Sequence, residues 1–134
     1  MWTIELAPEF EPELLALAAE VRIELLAQAR VIERFGPTTG RPRVDTLKGS
    51  KHANMKELRF DADGGVWRVA FAFDPARQAI LLVAGDKSGA SEARFYRTLI
   101  AKADGRFDAH LEQLRKKSGA KARASTRSGL RRRK

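Results

Sequence analysis

Residues 55–83 read MKELRFDADGGVWRVAFAFDPARQAILLV, and the punctuation of this stretch decides the fold. Two short separators, Asp61-Ala-Asp-Gly-Gly65 and Asp74-Pro-Ala-Arg77, divide three apolar-rich runs: Met55–Phe60, Val66–Phe73 and Ala79–Val83. Separators this short and this rich in Gly, Pro and Asp are turns, so neighbouring runs are expected to pair antiparallel as a meander of strands. The third run is apolar on both faces, which places it inside the sheet. Side chains alternate across a strand. Leu58 and Phe60 therefore share one face, and Met55, Glu57 and Arg59 the other. In the next run Trp67, Val69, Phe71 and Phe73 form an apolar face, with Arg68, Ala70 and Ala72 opposite. Paired as a hairpin, the two runs set Glu57, Arg59 and Arg68 on one surface floored by alanines, a candidate cleft. Ordinary cross-strand ion pairing on a solvated face would account for the same charges.

Working outward, Trp2 to Leu6 alternates like a half-buried strand and stops at Pro8. From about Pro12 to Phe35 apolar residues recur at helical spacing, as one long helix or two shorter ones, until Gly36-Pro37 breaks the pattern. Residues 36–54 are rich in Gly, Pro, Thr and basic side chains and are expected to form a loop. Beyond Gly85, Ser91 to about Leu114 is helical in pattern, with Gly105 a candidate kink. The expected order is β-α-loop-β-β-β-α, an α+β fold in which a small antiparallel sheet packs against N-terminal and C-terminal helices.

At 134 residues the chain has room for one core and not for two full domains. It has no cysteine, so neither disulfides nor thiolate metal sites are available. The formal charge of +9 is unevenly spread: residues 115–134 carry ten basic side chains and no acid, leaving 16 of the 26 basic residues against all 17 acidic ones. The basicity belongs to the tail, which we expect to be disordered and to attract polyanions nonspecifically, with 1–114 as the folded domain. The start, MWTIELAPEF, has no basic or long apolar region of the export type, and no segment has the length of a membrane span. A cytoplasmic location without a membrane partner is expected. Phosphate loops, dinucleotide fingerprints and zinc-ligand spacings are absent from the sequence, so no metal or cofactor is implied.

Three segments together carry a family resemblance: Asp45-Thr-Leu-Lys-Gly-Ser-Lys-His-Ala-Asn-Met-Lys-Glu-Leu-Arg59, Val66-Trp-Arg-Val-Ala-Phe-Ala-Phe73 and Ile80-Leu-Leu-Val-Ala-Gly-Asp-Lys87. Over roughly residues 1–114 the chain resembles the phage-derived HigB-like branch of the RelE/ParE toxin superfamily. The resemblance implies a compact fold of helices on an antiparallel sheet and the toxic role in a toxin–antitoxin pair. It also implies metal-independent cleavage of ribosome-bound mRNA and neutralisation by a helix-turn-helix antitoxin. By the same resemblance Arg68, Lys87 and Arg59 stand where such toxins keep cations. RelE itself has a lysine about where this chain has Glu57, a departure that bears on proton transfer.

Cleavage of RNA by its own 2′-hydroxyl needs a base, charge stabilisation of a crowded phosphorane and a proton for the leaving oxygen. Arg68 and Lys87 are the candidates for phosphate stabilisation, with Arg59 beside them. Glu57 is a base or, more simply, an orienting group for the two arginines. His52, of the residue type that titrates near neutral pH, is a candidate acid or base, or an ordinary exposed loop residue. By the resemblance Tyr96 lies in the region where some toxins hold a catalytic tyrosine, but its apolar neighbours favour a packing role, and His110 reads as surface. Arg41, Arg43, Lys48, Lys51 and Lys56 are candidate RNA contacts, with a solvated loop as the plain alternative. Two other functions fit the same pattern: a ParE-type inhibitor of DNA gyrase without nuclease activity, and a catalytically inert nucleic-acid-binding or interaction module.

Overall fold

In the computed structural model, which describes residues 1–89 and 91–132 and the side chains of 1–89 and 91–119, the quoted stretch folds as the expected meander. β3 (Met55–Ala62), β4 (Gly65–Phe73) and β5 (Gln78–Asp86) pair antiparallel in succession. The first turn needs only two residues, Asp63 and Gly64, with φ of +48° and +74°, the mirror-image turn that Asp-Gly favours between twisted strands. At the second, buried Asp74 closes the turn on itself by accepting from the backbone N–H groups of Ala76 and Gln78 at 2.9 Å.

The five-stranded sheet runs β1-β5-β4-β3-β2, so the strand that is apolar on both faces is flanked on either side. Two features depart from the sequence expectation. β1 (Thr3–Leu6) pairs parallel with β5, making the sheet mixed, and β2 (Val44–Thr46) forms within the expected loop. β2 is three residues long, with a single fully buried side chain, Val44, too short to leave an alternation signal.

The N-terminal helical stretch is two helices, α1 (Phe10–Leu15) and α2 (Ala19–Phe35). Arg22 fixes the break by donating to the carbonyls of Leu15 and Leu17 at 3.3 and 3.2 Å, which satisfies acceptors at the end of α1. α2 packs on the Leu58 and Phe60 side of the sheet, while α3 (Glu92–Arg132) crosses the Glu57 and Arg59 side, where Tyr96 reaches Glu57. α3 passes Gly105 without interruption and continues beyond Leu114, where the domain was expected to end. The expectation of a disordered tail falls largely on side chains 120–134, outside the described residues. Arg106 latches α3 down, with one guanidinium donating to both carboxylate oxygens of Glu13 at 2.8 and 2.6 Å and to the Leu82 carbonyl at 2.7 Å. Among the described residues, Glu57 and Asp74 are the buried polar or charged side chains in an otherwise apolar core.

Gly36 ends α2 at φ +56° and ψ −140°, a conformation open essentially to glycine, and a Cβ there would overlap the Trp2 indole. Trp2 in turn packs edge-on to Phe73 at 4.9 Å and under the Arg77 guanidinium at 4.8 Å. Gly36→Ala should therefore lower the free energy of unfolding by more than ~2 kcal/mol, backbone strain and the displaced indole adding together, as read from urea denaturation curves.

Candidate active site under the third helix

Register places the charges. Arg59 faces Arg68 across β3–β4, Arg68 faces Gly85 across β4–β5, and Asp45 of β2 faces Glu57. These residues share one sheet face, as the strand parity required. Glu57 and Met55 lie opposite Ala70 and Ala72, whose small side chains leave room for α3 above. Gly85 does the same for Phe95, since a Cβ there would lie 2.8 Å from the ring. Lys87 is aimed by the strand end: its backbone N–H bonds the Val66 carbonyl at 2.8 Å. The Asp86 carboxylate holds Val66 N–H and Ser88 on either side. Ser88 holds that carboxyl below the usual aspartate range, first through its hydroxyl and then through its N–H.

Glu57, only 3% exposed, is the hub. Its Oε1 accepts from Arg59 Nε at 2.6 Å and from the Tyr96 hydroxyl at 3.2 Å, and Arg68 Nε lies 3.9 Å away. Arg59 also reaches Asp45 at 3.4 Å. Arg68, 13% exposed, donates to the Trp67 carbonyl at 2.9 Å; its buried Nε has no hydrogen-bond partner among the described residues, so Glu57 holds it by charge alone. Lys87 lies 3.0 Å from Glu92 and over the Tyr96 ring at 5.8 Å. Three cations thus meet three carboxylates around a cleft of about 250 Å³ lined by Asp45–Lys48, Glu57, Arg59, Glu92 and Tyr96. The hydrogen bond to Glu57 raises the Arg59 guanidinium, and burial raises the Tyr96 phenol, which stays protonated at neutral pH and acts as a donor. The hydrogen bond from Lys87 lowers the Glu92 carboxyl, with Arg68 adding to it.

Of the catalytic candidates, the structure gathers Glu57, Arg59, Arg68 and Lys87 around Tyr96, with Glu57 and Arg59 lining the cleft and Arg68 lining the concavity next to it, and leaves His52 out. The His52 ring nitrogen Nε2 sits 2.8 Å from Asp108 and its ring packs edge-on to Phe107, so it ties the loop to α3. A polar loop that folds back on a helix was not visible as such in the sequence. Among the candidate RNA contacts, Lys48 lines the cleft, and Arg41 and Arg43 line a neighbouring concavity with Arg59 and Arg68. Lys51 pairs with Asp108, and Lys56, one residue out of phase with Glu57, bonds Thr46 at 3.2 Å; neither lines the cleft. Sequence reasoning missed Asp45 and Glu92 and favoured packing over a site role for Tyr96. The signals were there in part: Glu92 follows Lys87 by five positions across one turn, and Tyr96 is one helical turn further along the same face. His110, read as surface, lies 2.7 Å from the buried Asp74 carboxylate. Among the described residues no three His, Cys, Asp or Glu side chains are grouped to hold a metal ion.

A short antiparallel meander with helices on both faces is an α+β fold of the RelE type. The free-state structure of an arginine-substituted E. coli toxin RelE superposes with a TM-score of 0.51 over 75% of this chain and 95% of that one, at 13% identity, a likeness of fold. The chain belongs to the family described as phage derived protein Gp49-like (DUF891), whose model matches residues 12–108. Two Mycobacterium tuberculosis proteins are similar in sequence. "Putative toxin HigB2" is 49% identical over 90 residues, 66% of this chain and 44% of that protein. "Putative toxin HigB3" is 45% identical over 103 residues, 77% and 88% respectively. The match thus spans less than half of the first relative and most of the second. The RelE/HigB-type recognition made from the three motif segments holds.

Removing the hub strands its partners. Glu57→Ala should cost about 3 kcal/mol of stability, because it leaves the covered Arg68 uncompensated. Arg59→Ala should cost ~1 kcal/mol or less, since that side chain is 36% exposed. Urea denaturation of the two variants side by side checks the ranking. Because Tyr96 titrates higher in the folded chain than in the unfolded one, its contribution is intact below about pH 10 and is lost as pH rises through the folded value. Tyr96→Phe should accordingly flatten the alkaline decline in melting temperature relative to the wild type.

Proposed function

We propose that this protein is the toxin of a toxin–antitoxin pair and that it acts as an endoribonuclease on ribosome-bound mRNA, without a metal, held in check by a helix-turn-helix antitoxin. The observation that carries the reading is the cluster of Arg59, Arg68 and Lys87 around Glu57 and Tyr96, in which Arg59 lines the cleft and two exposed or half-exposed carboxylates, Glu92 and Asp45, pair with Lys87 and Arg59. A cation that bonds a carboxylate can bond a phosphate oxygen in the same geometry. The sequence relatives named as toxins and the RelE fold support the same reading.

In the proposed reaction the 2′-hydroxyl gives its proton to water and attacks the adjacent phosphorus, the bond to the 5′-oxygen breaks as that oxygen takes a proton from water, and the products are a 2′,3′-cyclic phosphate and a 5′-hydroxyl end. Charge accumulates on the phosphorane oxygens, where Arg68 and Lys87 stabilise it, with Arg59 as the outer wall. Lys87 is 24% exposed and its partner Glu92 71% exposed, so that pair opens to substrate with little loss of packing. Glu57 orients the arginines: its Oε1 already accepts two hydrogen bonds beneath α3. The protonated Tyr96 phenol, next to both Glu57 and Lys87, supplies a donor on the helix side. Lys48 at the cleft and Arg41 and Arg43 beside it border the RNA path, and the basic residues 115–134 add attraction to ribosomal RNA.

Expressed in a translating extract, the wild type should cut mRNA. Arg68→Ala and Lys87→Ala should each reduce cleavage by about 100-fold or more, the loss typical when a transition-state donor is removed. Mapped mRNA 5′ ends read the result. Undiminished cutting by both variants, or intact mRNA alongside inhibited DNA gyrase, would overturn the nuclease reading. Deleting 115–134 should leave cleavage in place.

A further inference from the structure

A second concavity of about 460 Å³ lies back to back with the cleft, sharing Arg59 as a wall and reaching Arg68. α2 supplies Glu24 and Gln28, and the loop before β2 supplies Arg41 and Arg43. Its polar groups are arranged as a relay: Arg43 Nε donates to Gln28 Oε1, and Gln28 Nε2 donates to Glu24 Oε1 at 2.7 Å. Among the described residues only that one oxygen of Glu24 is engaged, which leaves Oε2 to accept from a ligand. The wall carries the carboxylates of Glu24 and Asp61 as well as its arginines. A second phosphate would meet those carboxylates with like charge, whereas a nucleobase, with donors and acceptors side by side on its edge, suits a wall of mixed polarity. The exposed Arg41 guanidinium offers a planar face for stacking.

We infer that this concavity seats a nucleobase next to the scissile phosphate and that Glu24, held by Gln28 and Arg43, selects bases bearing an exocyclic amine. The inference rests on the proposed reading of the cleft as the place of that phosphate. Adenine, cytosine and guanine each present an amine N–H to the carboxylate. Uracil presents carbonyl oxygens on either side of its single ring N–H, and one of them would face a like charge. Glu24 is thereby a specificity residue rather than a participant in bond cleavage.

The test is the base composition around mRNA ends generated in a translating extract by the full-length wild type, Glu24→Gln and Gln28→Ala, each verified as folded by its thermal melt. The wild type should avoid uracil about tenfold at one position flanking the cut, the discrimination expected of a good base-edge contact. Glu24→Gln should abolish the avoidance, because an amide can turn its N–H₂ toward a uracil carbonyl, and Gln28→Ala should weaken it by releasing Glu24. Cuts without base bias at the flanking positions, or a bias that neither variant changes, would overturn the inference. No cutting by the wild type would overturn the reading of the cleft itself, and this inference with it.

Discussion

A carboxylate taken out of water at the middle of a sheet costs several kcal/mol unless its charge is met where it sits. Glu57 is in that position, nearly sealed between β3 and α3, and two arginines and a phenol surround it. The constraint runs in both directions. Arg68, itself largely covered, is tolerated there because Glu57 lies within 3.9 Å, and Arg59 is drawn inward from the rim by a 2.6 Å bond. Two like charges directly opposite one another on adjacent strands would repel; the shared carboxylate turns that register into a pair of aligned cations. The position of the cleft, the orientation of both arginines and the seat of Tyr96 all follow from one buried side chain.

The surface above Glu57 is made of very small residues for a matching reason. Ala70, Ala72 and Gly85 occupy the central strands beneath α3, and bulkier groups there would lift the helix from the sheet. Phe95 fills the space over Gly85, and its neighbour Tyr96 packs against it edge-on at 5.2 Å while reaching down to Glu57. Arg106, farther along the same helix, fixes the other end through Glu13 and the Leu82 carbonyl. α3 is thus anchored by packing near its start and by a bidentate ion pair about three turns further along, which sets the roof of the cleft at a fixed height.

These relations bear on what could be read from the chain beforehand. Strand parity and the Asp-Gly turn needed only local rules, and they put Glu57, Arg59 and Arg68 on one face before any coordinates. The two-faced apolar run at 79–83 likewise identified an interior strand. What escaped notice depended on distant contacts. β1 meets β5 across more than seventy residues of chain, so its parallel direction has no local signature. Asp45 enters the site because a three-residue strand happens to align it with Glu57. His52 belonged to the proposed site by proximity in sequence, yet its ring is claimed by Asp108 from a helix more than fifty residues later. Glu92 was overlooked because an acid in the first turn of a helix is ordinary on helix-dipole grounds alone.

The near-neutral balance of the cleft bears on how a site already filled with carboxylates would act on RNA. Under the proposed reaction, a ground-state phosphodiester carries a single negative charge, as does Glu92, so exchanging one for the other at Lys87 gains little. The phosphorane carries a further negative charge, and that increment meets Lys87, whose carboxylate partner it has replaced, and Arg68, which Glu57 approaches only to 3.9 Å. Attraction is therefore concentrated where charge develops during the reaction, which is the condition under which binding energy accelerates a step rather than holding the substrate. A cleft of bare cations would do the reverse, gripping every passing polyanion equally. In the proposed reaction the buried Glu57 would keep the guanidinium groups in place from below, and the exposed Glu92 is the carboxylate that a phosphate would replace. On this view the buried and the exposed carboxylate have opposite duties, one holding the cations still and the other keeping them occupied until a more highly charged species arrives.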